Sequence, residues 1–407
     1  MTRPHPCVET FYALDEFKIL EGSDDFSYES LEWNSESNIA LIINEIPIYN
    51  TMSNDKIENL LKYTNASLVG VGSETIHDEK IRSSNEITSE HISLNPVFEN
   101  LIKTMVTTMA KELNHPTNVI PKLYKLIIYK EGDFFKEHID SVHEDNMIMT
   151  LSVQLDTNSL GGELCINGEP LDRPESNHIS LILFYNDIKH QIGEVTKGYQ
   201  ISLIFNIVQD QDQSPIIDDN YKTLFKQGIS KLKDKGINKI GFIANHLYMG
   251  DEIKGHMLKN TDKIGYELLK LYSKEIKFIN VCVEADSNLI NCFHEDLMPI
   301  MSLSQAFGSL YFEHSGKDDE EAEDDEEKEE VSYSSYNNTS YDHIKINYDV
   351  DNKYHVIKDE YLLGDVIFLK SKPLDKKIYK GDDEVYLGNG GFVGNIYENL
   401  AIVFYLN

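Results

Sequence analysis

In the segment LNPVFENLIKTMVTTMAKELNHP, apolar residues fall at Leu94, Val97, Phe98, Leu101, Ile102, Met105, Val106, Met109 and Leu113. Steps of three and four collect such residues on one face of a helix. Asn95 is placed to cap it, Pro96 suits its first turn, and Pro116 prevents its continuation. The pattern therefore predicts a helix with one face laid on something apolar. Directly after it the period shortens: LYKLIIY, MIMTLSVQL, GGELCI, HISLILFY and YQISLIFNIV are β-rich runs parted by Gly, Asn or Asp. Strands this close together, with no helix between them, predict an antiparallel sandwich or barrel rather than a parallel sheet.

Past residue 210 the pattern changes again. DDNYKTLFKQGISKLKDKG reads as a helix stopped by Gly236, KIGFIANHLY as a strand, DKIGYELLKLYSK as a helix and IKFINVCVEAD as a strand, with YLLGDVIFLK and ENLAIVFYLN strand-like near the end. The expected class is α+β, in three parts. Residues 1–93 supply outer elements, 94–209 form the barrel core with its helix, and 210–407 form a separate α+β region. No repeat of fixed short period is evident.

Charge adds one local feature. The run DDEEAEDDEEKEE at 318–330 carries a net −10 of the chain's −32. Self-repulsion and low hydrophobicity predict a disordered acidic insertion over about 316–341, read as a solvated loop and alternatively as a docking site for a basic partner. The balance of charge opposes nucleic acid or an anionic membrane as a general partner. With 41% apolar residues, no N-terminal apolar stretch and no uncharged apolar run of spanning length, the chain reads as a soluble globular protein of the cytoplasm or nucleus. Cys7, Cys165, Cys282 and Cys292 are scattered without C-x-x-C spacing, so neither a disulfide framework nor a thiolate zinc site is expected, and sequons such as Asn338-Thr339-Ser340 are read as unused.

The candidate chemistry lies in FFKEHIDSVHEDNM. His138 and Asp140 are two residues apart, and in an extended chain such a pair aims an imidazole nitrogen and a carboxylate at one point. Taken alone the pair is weak evidence. His190, 52 residues further on and just past the apolar run ending at Tyr185, offers a third ligand that an antiparallel barrel can return to the same mouth. Two imidazoles and one carboxylate on one face of an ion leave three positions open, which suits non-haem Fe(II) reacting with O2.

Further landmarks stand in a fixed order. Tyr129 precedes His138 by nine residues with Gly132 between; then come His-x-Asp, Gly161-Gly162-Glu163-Leu164, Phe184-Tyr185-x-Asp187-x-x-His190, and Thr196-x-Gly198-Tyr199. In these residues the chain resembles the Fe(II)- and 2-oxoglutarate-dependent dioxygenases of the prolyl 4-hydroxylase type. GVGSETIHDEKIRSSNEI and LYKLIIYKEGDFFKEHID also look similar to a fungal and protist branch with a C-terminal extension. The resemblance covers residues 68–208 well and the C-terminal half only through GNGGFVGNIYENLAIVFY. It implies a double-stranded β-helix, or jelly roll, with His138, Asp140 and His190 binding iron. Tyr129 would donate its hydroxyl to the co-substrate, and Gly161 and Gly162 would form a tight turn beside the site. The implied cofactors are Fe(II), 2-oxoglutarate and O2, with ascorbate as an accessory reductant. His143 and Glu144, just past the motif, are read as exposed loop residues rather than further ligands.

One position departs from the family pattern. Ten residues past the second iron-binding His, where the family carries Arg or Lys against the distal carboxylate of 2-oxoglutarate, this chain has Gln200. An uncharged partner leaves a buried carboxylate uncompensated. Lys197 is out of phase with Gln200 along a strand, whereas Lys125 shares the face of Tyr129 and is taken as the replacement anchor, the alternative being that it lies at the barrel rim and reaches water. Ser202, in phase with Gln200, adds a hydroxyl. The function expected from the resemblance is hydroxylation of a C–H bond, of a protein or peptide side chain, with release of succinate and CO2. The acidic surface favours a basic protein or peptide partner. A different class, an iron-binding barrel impaired in turnover and acting as a sensor or scaffold, is the alternative that Gln200 raises. A cupin-like metalloprotein shares the barrel and histidines but leaves Tyr129 without a role.

Overall fold

A computed structural model describes residues 16–20, 25–33, 37–42, 45–71, 74–143, 146–157, 159–173, 177–210, 215–250, 253–285, 343–348, 354–357, 367–369, 386–388, 395–397 and 400–407. The predicted acidic insertion, Glu144, and Asn338 of the sequon lie outside the described residues.

Eight strands build the barrel: β1 (Val119–Lys130), β2 (Phe134–His138), β3 (Met147–Gln154), β4 (Leu164–Ile166), β5 (Glu169–Pro170), β6 (His178–Tyr185), β7 (His190–Ile192) and β8 (Tyr199–Gln209). They divide between two sheets with the orders β6-β3-β8-β1 and β5-β4-β7-β2. Every pairing within these orders is antiparallel. The chain crosses from one sheet to the other as it advances, which is the winding of a double-stranded β-helix. The fold is thus α+β with a jelly-roll core. Earlier residues extend both sheets: Phe26–Glu32 pairs with β6, Asn85–Thr88 with β1, and Arg82–Ser83 with β2.

The helix forms at Pro96–Glu112, with the Asn95 side chain accepting the Val97 N–H. Phe98, Ile102, Val106 and Met109 sink into one core with Leu126 and Ile128 of β1 and Leu151 and Val153 of β3. Each such side chain stabilises the packing by about 1.5–3 kcal/mol. Val97, expected on the buried face, is 69% exposed. Its neighbour Phe98 in the same turn is fully buried, so Val97 is exposed because it is out of phase with the buried positions Phe98, Ile102, Val106 and Met109.

Because the outer face of the large sheet is covered by this helix, residues of the opposite parity line the barrel interior. Where β1, β3 and β8 lie side by side these positions carry polar groups: Lys125 and Tyr129, Ser152 and Gln154, Gln200, Ser202 and Asn206 are all buried. In a sheet that served only to pack, such positions would be apolar.

Beyond the barrel, helices form at Asp219–Asp234 and Asn260–Lys270. Gly236 ends the first in the left-handed region at φ +76°. A sheet runs in the order Tyr354–Ile357, His343–Tyr348, Ser273–Ala285, Leu400–Leu406, Lys239–Ile243, Ile367–Phe368. Its core joins Phe225, Ile229, Phe242, Leu268, Ile402 and Phe404 with Phe17 and Leu20 from the start of the chain. No helix among the described residues is long and apolar enough to cross a membrane.

Candidate metal centre

The two histidines arrive opposite each other. β2 and β7 pair with His138 facing His190, after a register irregularity between Phe135 and His138. Asp140 follows two residues on, held where its N–H donates to the Asn186 carbonyl at 2.9 Å. One donor atom from each of His138, Asp140 and His190 lies within 4.8 Å of the others, and all three residues are buried. His190 Nε2 stands 3.8 Å from Asp140 Oδ2. Two donors about 2.1 Å from one ion are separated by roughly 3–4 Å, so this spacing fits a shared ion.

The hydrogen bonds set the ligand atoms. His138 Nδ1 donates to the Lys136 carbonyl at 2.7 Å, and His190 Nδ1 donates to the Ile188 carbonyl at 2.9 Å. With each Nδ1 carrying its proton, each Nε2 presents a lone pair to the shared point. Thr150 Oγ1 donates to Asp140 Oδ2 at 2.6 Å and fixes the carboxylate plane. Burial first, and then the neighbouring His190, hold the His138 imidazole well below its usual pKa, so it is neutral and able to coordinate. The donor set and its geometry fit a divalent ion.

Below the triad the inward residues carry charge. Lys125 Nζ reaches Glu86 Oε2 at 3.1 Å, and Arg82 Nη2 stands 3.7 Å from the same oxygen. Lys125 is therefore inside the barrel and ion-paired; the rim alternative is overturned, because β1 turns residue 125 to the same side as Tyr129. Burial, then Arg82, lowers the Lys125 pKa to about 8. Burial pushes the Glu86 carboxyl up, but Lys125 and Arg82 outweigh it and leave it below the usual range. Two cations share one carboxylate, so this corner has one surplus positive charge.

Arg82 is the residue that sequence reasoning missed. It is 1% exposed. Its Nε donates to Ser84 Oγ at 3.1 Å, and its Nη1 donates to the Leu68 and Gly388 carbonyls, both at 2.9 Å. Its guanidinium lies over the Phe135 ring at 4.5 Å, and Phe135 stacks on His138 with centroids 3.5 Å apart. The only local hint in IRSSNEI is a charged residue between apolar Ile81 and Ile87.

The remaining expected residues fall as follows. Tyr129 is buried beside Ser84, which hydrogen-bonds its hydroxyl, and burial foremost raises its pKa. Gln200 pairs across the ladder with Tyr129. Gln200 Oε1, Ser202 Oγ and Gln154 Nε2 are buried with no hydrogen-bond partner. Several such atoms lining one space mark a place for a polar ligand. Lys197 is exposed, as its phase predicts, and His143 is exposed with its ring 5.4 Å from that of Tyr124. At Gly161 (φ +70°) an added Cβ would meet the Glu194 carbonyl at 2.2 Å, and at Gly162 (φ +76°) it would meet Gln200 Oε1 at 2.2 Å. Both positions combine left-handed backbone with close approach, which only glycine satisfies.

A second polar cluster braces the centre from behind. Asp187 sits between Asn186, whose carbonyl holds the Asp140 N–H, and Ile188, whose carbonyl holds His190 Nδ1. Its carboxylate accepts from Lys259 Nζ at 2.7 Å, from the Leu247 N–H at 2.9 Å and from His246 Nδ1 at 3.2 Å. Burial pushes the Asp187 carboxyl up, yet Lys259 and His246 overcome it and hold it far below the usual carboxylate range. Residues past 210 thus grip the segment that orients two of the three ligands.

No protein-family model matches the chain, and no curated protein matches it. Solved structures to which it is similar include a prolyl-4-hydroxylase from Pseudomonas putida, at 13% identity over 49% of this chain and 99% of that one, with a TM-score of 0.29. A 2OG-Fe(II) oxygenase-family oxidoreductase from Burkholderia pseudomallei shares 13% identity over 52% of this chain and 94% of that one, TM-score 0.27. The viral collagen prolyl hydroxylase of Paramecium Bursaria Chlorella virus-1, solved as its 2OG complex, shares 13% over 45% and 96%, TM-score 0.28. Nothing in these matches supports placing the chain in a fungal or protist branch. With scores this low, the jelly-roll assignment rests on the strand order itself, and the metal centre on the geometry of its three side chains.

Proposed function

We propose that this protein is an Fe(II)- and 2-oxoglutarate-dependent dioxygenase that hydroxylates a C–H bond of a protein or peptide side chain. The observation that carries this reading is the convergence of His138 Nε2, His190 Nε2 and the Asp140 carboxylate above a barrel interior with unpartnered polar atoms and surplus positive charge. When bound, the ferrous ion with 2-oxoglutarate and O2 supplies the oxidising chemistry, with succinate and CO2 as the co-products.

The chain's own residues have separate tasks. His138, Asp140 and His190 hold the ion by one face and leave the other open. Tyr129, Gln200 and Ser202 offer hydroxyl and amide groups to the polar co-substrate. In place of the basic residue expected at position 200, Arg82 and Lys125 provide the charge. The balance is simple: a divalent ion against Asp140 leaves one positive charge, and Arg82 plus Lys125 against Glu86 leave a second. A doubly charged 2-oxo diacid neutralises both, so its burial is compensated. Tyr129, Gln200, Ser202 and Lys125 are all buried, so bulk water has little access to this interior. The acidic net charge of −32 favours a basic peptide partner by steering.

Oxygen uptake in the presence of Fe(II), ascorbate and 2-oxoglutarate tests the reading. Uptake matched by succinate release and abolished by His138→Ala is the expected result. Binding of the ion without any such uptake favours the other reading, an iron-holding sensor or scaffold, which Gln200 motivates.

A further inference from the structure

Three residues from near the C-terminal end lie across the centre. Tyr386 and Leu387 pair antiparallel with Val71 and Gly70, and Leu387 also bridges Ile139 in parallel. The Gly388 N–H donates to the Ile139 carbonyl at 2.8 Å, and its carbonyl accepts from Arg82 Nη1 at 2.9 Å. Leu387, 1% exposed, fills an apolar niche with Ile139, Met249, Val142 and Leu247. The segment is therefore an extended strand held by main-chain bonds on both edges, with Ile139 lying between the two ligands His138 and Asp140.

Gly388 stands directly at the ligand atoms. A Cβ built there would lie 2.3 Å from Asp140 Oδ1, 2.8 Å from His138 Cδ2 and 3.1 Å from His138 Nε2. A residue in this slot thus aims its side chain at the place the ion takes, and glycine aims nothing. Main-chain pairing of this kind accepts many sequences, while side-chain niches select among them. Here the selection is a branched apolar residue followed by the residue presented to the ion.

We infer that the slot between Val69–Val71 and Ile139 is the seat of an extended substrate peptide, and that Tyr386–Gly388 is the chain's own unreactive occupant of it, which substrate must displace. The inference rests on the iron-site reading. An occupant tethered in the same chain acts at an effective concentration on the order of millimolar, so it competes strongly with a peptide added from outside. It also ties substrate entry to Arg82, because displacement frees the Nη1 donor that Gly388 holds.

The test uses the full chain loaded with Mn(II), and a fluorescent peptide copying residues 383–391. Two variants expel the segment by different physical routes: Leu387→Asp places a charge in the apolar niche, and Gly388→Ala drives a methyl into Asp140 and His138. Either one keeps the test alive if the other fails to fold. In the variants the expected result is peptide affinity at least tenfold tighter than in wild type, by anisotropy, and raised water-proton relaxation at the Mn(II), with Leu387→Asp leaving Mn(II) affinity unchanged. Wild-type peptide affinity in a folded Mn(II)-bound variant overturns the inference, even if relaxation rises, since the segment is then a fixed wall. Mn(II) binding that is absent, or indifferent to His138→Ala, instead sinks the iron-site reading, and the two failures are told apart.

Discussion

Replacing Asp187 by Asn should weaken the metal centre without touching a metal ligand. The substitution keeps the side chain's size and its ability to accept the Leu247 N–H, but removes the charge facing Lys259 Nζ at 2.7 Å. Both partners are buried, so breaking the pair strands an ammonium in the interior, which costs about 3–5 kcal/mol. Lys259 keeps one acceptor, the Leu247 carbonyl at 2.9 Å, which places the expected loss near the lower end, about 3 kcal/mol. A domain of ordinary stability survives that loss. The local effect reaches the ion because Asn186 and Ile188 flank Asp187 and orient Asp140 and His190; relaxing such supports weakens metal affinity roughly 10–100-fold. Urea unfolding and calorimetric Mn(II) titration measure the two quantities. Lys259→Met alone should also destabilise, while the double variant, which removes both charges, should lose clearly less than the sum of the singles. Single variants within about 1 kcal/mol of wild type, with unchanged Mn(II) affinity, would refute the bracing role.

Three further outcomes follow from the charges inside the fold. Lys125 has its pKa lowered to about 8 from an unfolded value near 10.5, so the unfolded chain binds more protons between those values and stability should rise with pH across that window, on the order of 3 kcal/mol in all. Lys125→Met should flatten that rise and weaken 2-oxoglutarate binding at least tenfold while Mn(II) binding holds, both by calorimetry; an unchanged 2-oxoglutarate affinity removes Lys125 from the anchor. Burial, with His246 and Lys263, lowers the His115 pKa to about 3, so stability is lost as pH falls below about 6.5, by about 2 kcal/mol at pH 5; His115→Gln should make the acid limb of urea unfolding shallower. Gln200→Arg, which restores the family's charge, should destabilise by about 2 kcal/mol or more instead of tightening 2-oxoglutarate, because Gly162 packs on residue 200 and the two nearby cations already share Glu86.

What could be read in advance was what depends on short spacing. His138 ends β2 and Asp140 stands two residues past it, a spacing that brings both to one point, and His190 meets them because antiparallel strands return. The helix at Pro96–Glu112 and those at Asp219–Asp234 and Asn260–Lys270 announce themselves by period and cap. The phase of Lys125 against Tyr129 puts both on one face, and Lys125 is buried, but its partner Glu86 lies 39 residues away in a short strand whose sequence carries no sign of burial. Arg82 and Gly388 are 306 residues apart, and Asp187 and Lys259 are 72 apart. Such contacts are decided by how sheets and loops dock, which no local period encodes. Gln200 was legible as a departure, yet Arg82, the second buried cation beside Glu86, lies on the short strand Arg82–Ser83 at the edge of the smaller sheet.

A titration of the full chain with Mn(II), followed by electron paramagnetic resonance, addresses the convergence of His138, Asp140 and His190 most directly. One ion per chain is expected, with affinity lowered at least a hundredfold by alanine at any of the three positions, and a change in the bound signal when 2-oxoglutarate is added. Binding that survives all three substitutions, or no binding at all, would contradict the account.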